Sequence, residues 1–133
     1  MRTRVKTTSK FIVKPENKVV VCNMSVDMQL MDSECWNHMD PAWWATKAPK
    51  VDQFGEFTVT AIARCNSEDT FDEATGKKIA ESRAKAKAFK TATNVWNCIA
   101  KGLEEKANMA RTMARNCELV REVEVKHVEK LSE

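Results

Sequence analysis

The chain has 133 residues, 43% of them hydrophobic and 31% charged, with a formal net charge of +3. That length supports one domain with a modest core, and no segment approaches the roughly 18 consecutive apolar residues of a membrane helix. Cys22, Cys35, Cys65, Cys98 and Cys117 are spaced too widely for a small disulfide scaffold, so reduced thiols in a soluble, cytoplasmic protein are expected.

The N-terminal MRTRVKTTSK is basic but is not followed by an apolar run of signal-peptide length, which again points to an intracellular protein. Phe11 and Val13 mark a short strand, and Lys18–Met28 a longer one. The turn signal Pro15–Glu16–Asn17 lies between them, so the pair reads as a hairpin. In KVVVCNMSVDM the apolar residues run together and then alternate, as in a strand with one end buried on both faces. Residues 29–53 are irregular and contain Pro41 and Pro49. A third strand follows at Phe57–Cys65, with Phe57, Val59, Ala61, Ala63 and Cys65 on one face and Thr58, Thr60, Ile62 and Arg64 on the other.

The acidic turn NSEDTFDEATG then leads into a helix. Thr70 and Glu73 have the spacing of a capping box, with Asp72 as the alternative cap. Ile79, Ala80, Ala84, Ala88, Phe89, Ala92, Val95, Trp96, Ile99 and Leu103 form an apolar stripe whose alanines permit close approach to the sheet. The stripe resumes after Gly102 through Lys106, Ala110, Met113, Cys117, Val120 and Leu131, as one bent helix or two. Residues 119–131 satisfy both helical and strand spacing. Their Glu, Lys and Arg content favours helix.

Charge is unevenly distributed: residues 1–21 carry a net +5, residues 22–75 a net −7 and residues 76–101 a net +6. Lys77, Lys78, Arg83 and Lys85 on the helix, with Arg2, Arg4, Lys6 and Lys10 as a mobile arm, are the candidate polyanion contacts. A solvated basic face is the competing explanation. Trp36, Trp43 and Trp44 lie close together in the irregular segment, and with Trp96 they are the candidate partner-binding aromatics, although packing, within one subunit or between identical ones, is the favoured explanation of the three. The acids Asp32, Glu34 and Asp40 argue against base stacking there.

Cys22, Cys35, His38 and Cys65 are the only combination that suggests zinc, and their spacing is not that of a closed site. Cys35 and His38 as a nucleophile and base lack an orienting group and oxyanion donors. The cluster Glu68, Asp69, Asp72 and Glu73 does not follow a calcium-loop pattern, and capping accounts for it. Neither a phosphate loop nor a catalytic signature occurs, so no cofactor and no catalytic residue is assigned. A small metal-dependent enzyme is the least favoured reading.

The run AIARCNSEDTFDEATGKKIAESRAKAKAF resembles a strand–turn–helix unit of small phage and prophage proteins. The matching positions are Ala63, Arg64, Cys65, Asp69, Phe71, Asp72, Gly76, Lys77, Ala80, Arg83 and Ala84, within a match covering about a quarter of the chain. The topology of three strands followed by a helix is also similar to double-stranded-RNA-binding-like folds, without their leading helix. The resemblance implies a phage-type origin and a host-cell cytoplasm.

The expected fold is α+β, a three-stranded antiparallel sheet packed on a long helix, followed by a C-terminal helix. Residues 1–101 form the core domain and 102–133 a helical extension. The expected role is non-enzymatic: self-association into a homo-oligomer and binding of a host or phage protein. DNA or RNA binding is the alternative.

Overall fold

The computed structural model describes residues 2–35, 51–52, 54–66 and 68–133. Its elements are β1 (Lys6–Lys14), β2 (Val19–Asp27), β3 (Glu56–Arg64) and α1 (Glu73–Leu131), with single 3-10 turns at Pro15–Asn17 and Leu30–Asp32. The three strands form one antiparallel sheet in the order β1-β2-β3. The chain forms two compact units, Met1–Ile99 and Ala100–Glu133.

The first strand is longer than the sequence suggested. It begins at Lys6, and its nine residues pair with all nine of β2. Lys6 and Lys10 are therefore sheet residues, not a mobile arm. The polar stretch KTTSK forms strand because its residues alternate with the pleat, Thr7 and Ser9 on the more covered face and Lys6, Thr8 and Lys10 on the exposed one. Pro15 starts the expected turn, which closes with Lys18 in the left-handed region at φ 53° and its amide donating to the Pro15 carbonyl. The start of β2 is buried on both faces, as its apolar run anticipated, with Val19 and Val20 both buried.

The covered face of the sheet joins Val20, Cys22, Met24 and Val26 of β2 to Ala61 and Ala63 of β3, and α1 lays Ala80, Ala84 and Ala88 against them. Small side chains bring helix and sheet close. At Gly76 the approach is tight: a Cβ there would lie 2.7 Å from Val20 Cγ2. Because the sheet comes so near, the covered stripe is narrow. Ile79 and Phe89, expected within it, are 42% and 36% exposed, since each sits roughly 140° round the helix from the alanine line.

Met28 and Leu30, both buried, lie at the other end of the sheet beside Gly55, and Val51 is buried as well. Gly55 makes the close approach of Leu30 possible. It holds φ +82°, and a Cβ would meet Leu30 Cγ at 2.7 Å, so both the backbone sign and the space require glycine.

In place of a second helix, the chain after Gly102 continues the first one, and α1 runs unbroken through residues 119–131. A lone glycine costs a helix about 1 kcal/mol relative to alanine, and strong helix formers on both sides outweigh it.

Candidate interaction surface

The start of α1 is set by Asp72. Its carboxylate accepts from the Thr75 amide at 3.3 Å and from the Thr75 hydroxyl at 2.8 Å, so the alternative cap forms and the Thr70–Glu73 box does not. The Thr75 hydroxyl, then the Thr75 amide, hold the Asp72 carboxyl below the usual carboxylate range, with Ala74 and Lys78 adding to the effect. Glu73 pairs with Lys77 at 3.3 Å. Two members of the acidic cluster thus serve the helix terminus, where negative charge is favourable.

Of the basic residues singled out from the sequence, Lys77, Arg83, Lys85 and Arg4 make structural contacts, while Lys78 is exposed. Lys77, besides its ion pair, lies 5.7 Å from the centre of the Phe11 ring, and Lys85 pairs with Glu81 at 3.3 Å. Arg83 donates to the Ile62 carbonyl at 2.8 Å, and Lys87, one turn on, to the Thr60 carbonyl at 2.7 Å. Those carbonyls belong to the outer edge of β3. The Cys65 amide bonds to Lys18 O and the Met28 amide to Gly55 O, so odd-numbered residues face β2 and even-numbered ones face outward.

Asp52 covers the start of the same edge by accepting from the Glu56 amide at 2.9 Å. Edge cover of this kind opposes unwanted strand pairing. The clamp went unread in the sequence, although two cations four residues apart on one side of a helix are a usable signal. At the N-terminus, Arg4 donates to the Asp32 carbonyl at 3.0 Å, and its own carbonyl accepts from Gln29. Arg2 is exposed beside it.

Trp96 is half-buried. With Phe89 and Thr93 it faces Arg4 and Val5 across a groove of about 350 Å³. Trp36, Trp43, Trp44 and His38 lie outside the described residues. Among the described residues, no three His, Cys, Asp or Glu side chains approach closely enough to hold a metal. Cys22 pairs with Ala61 while the Cys65 amide bonds to Lys18, four residues along the strand. That spacing is roughly 13 Å, too long for two thiolates on one zinc.

The helix-free face of the sheet carries one apolar row, Ile12, Val21 and Ile62 in register across the three strands. A larger apolar surface lies on the second unit. From Glu104 to Glu133 every residue except Ala107 is exposed, including Met109, Met113, Val120, Val123, Val128 and Leu131, with Met113 at 54% and Leu131 at 74%. At 100° per residue these side chains, with Cys117, fall within an arc of roughly 140°. Charged groups occupy much of the opposite side, where Glu118 and Arg121 pair at 2.9 Å.

Comparison with protein-family models, with curated proteins and with solved structures gave no match in any of the three. No helix among the described residues is long and apolar enough to cross a membrane.

Proposed function

We propose that this chain is a non-enzymatic interaction protein that self-associates through the apolar face of α1 between Leu103 and Leu131. The observation carrying this reading is the exposure of the large apolar side chains along that face, with Met109 67%, Val123 63% and Leu131 74% exposed. Isolated helices in water draw little stability from propensity alone, and contiguous apolar surface of this kind characterises interaction sites. In the phage setting implied by the likeness of residues 61–89, the cytoplasm of the host is the place of action, and a host or phage protein is a further partner.

Absolute mass by light scattering, with and without short duplex DNA and RNA at low and physiological salt, tests this. A defined oligomer indifferent to nucleic acid is the expected result, and a monomer at every concentration would sink the reading. A complex with duplex that dissociates as salt rises would favour the basic residues of α1 as a phosphate-binding face instead.

A further inference from the structure

Building on that reading of the same face, we infer that its occupant is a second copy of this chain running antiparallel, with the two-fold axis level with Arg115. The seam of α1 follows three- and four-residue steps through Leu103, Lys106, Ala110, Met113, Cys117, Val120, Glu124, His127 and Leu131, the spacing by which two helices mesh along a shared line. Lys106 and Glu124 are its only residues with a fixed charge at neutral pH. Parallel pairing sets each seam residue beside its own copy, placing Lys106 against Lys106 and Glu124 against Glu124 of the partner. Both contacts are repulsive.

Antiparallel pairing about Arg115 sets Lys106 opposite Glu124 of the partner, twice by symmetry. The same register places Ala110 against Val120 and Met113 against Cys117. On the flank, Met109 meets Val123 and Asn116 meets its own copy. Sliding the partner by one heptad in either direction sets Lys106 against Leu131 or Cys117 and breaks the charge match. Complementary charge thus selects one orientation and one register from the alternatives.

Charge exchange on the full-length chain, followed by sedimentation equilibrium, tests the inference. Lys106→Glu alone and Glu124→Lys alone each place like charges together in two layers and weaken the dimer by roughly tenfold or more. The double variant Lys106→Glu/Glu124→Lys restores affinity to within about threefold of the original. A wild-type chain that stays monomeric overturns the self-association reading along with this one. A wild-type dimer whose affinity ignores all three variants, or that the double variant fails to restore, overturns only the antiparallel register.

Oxidative cross-linking gives an independent readout. Parallel pairing brings Cys117 beside its own copy, whereas the antiparallel register puts Met113 there. Rapid formation of a Cys117–Cys117 intermolecular disulfide, mapped by peptide mass, therefore overturns the proposal. Its absence, in a dimer that obeys the charge exchange, is the expected result.

Discussion

The first and second halves of α1 repeat the same apolar period with different side chains. Between Ala80 and Ile99 the line consists mainly of alanine, and all of Ala80, Ala84, Ala88, Ala92, Val95 and Ile99 are buried. Between Met109 and Leu131 its exposed apolar side chains are mainly methionine, valine and leucine, with Glu124 and His127 set among them. Val95, Met113 and Leu131 are spaced by eighteen residues, five turns of an ideal helix, so one periodicity runs through both halves. Small residues suit a helix lying close against a sheet, where Gly76 and the alanines leave no room for more. Larger side chains suit the partner-facing seam proposed above. The contrast shows that period locates a face, while side-chain volume indicates what the face meets.

Paired truncations probe this contrast most strongly. Met24 is 1% exposed beneath α1, and Met24→Ala lowers unfolding stability by about 2–5 kcal/mol through lost burial and the cavity left behind. Met113→Ala changes the stability of the Met1–Ile99 unit by less than about 0.5 kcal/mol and, on the proposed function, loosens self-association. Urea unfolding and sedimentation run on both variants separate the effects. Equal destabilisation by the two would erase the distinction between the halves.

A smaller effect tests the closeness of helix and sheet. Gly76→Ala forces a shift against Val20 costing about 1–3 kcal/mol, which exceeds the about 1 kcal/mol that alanine gains over glycine within a helix. A lower thermal midpoint is expected. A raised one would mean that Val20 turns aside freely and that the packing is looser than described.

The smallest effect concerns the cap. Because the folded-state pKa of Asp72 is depressed, chiefly by the Thr75 hydroxyl, the carboxylate's contribution is fully present above its unfolded-state value. It fades as pH falls through the lower folded-state value. Asp72→Asn therefore reduces the thermal midpoint slightly near neutrality and flattens its acid dependence below the ordinary aspartate range. An identical acid profile in the two proteins would remove Asp72 from the account of the helix start.

Several positions of the strand–turn–helix unit at residues 61–89 have structural explanations here. Asp72 caps the helix, Gly76 admits Val20, Ala80 and Ala84 are buried against the sheet, and Arg83 covers the edge of β3. These residues secure a strand–turn–helix junction, and their physical roles are independent of any ligand.

The sequence by itself determined the three strands, the turn at Pro15 and the inward face of β3, because alternation and turn chemistry are local properties. It also located the line of α1 from residue 80 to 131, since a helical period needs no knowledge of neighbours. Only the tertiary structure decided that β1 reaches back to Lys6, that Ile79 and Phe89 lie off the covered line, and that Asp72 outcompetes Thr70 as cap. It alone revealed Arg83 and Lys87 bound to the carbonyls of Ile62 and Thr60. Those outcomes depend on which surfaces meet and how closely, distances set jointly by residues far apart in the chain, and no local pattern contains them.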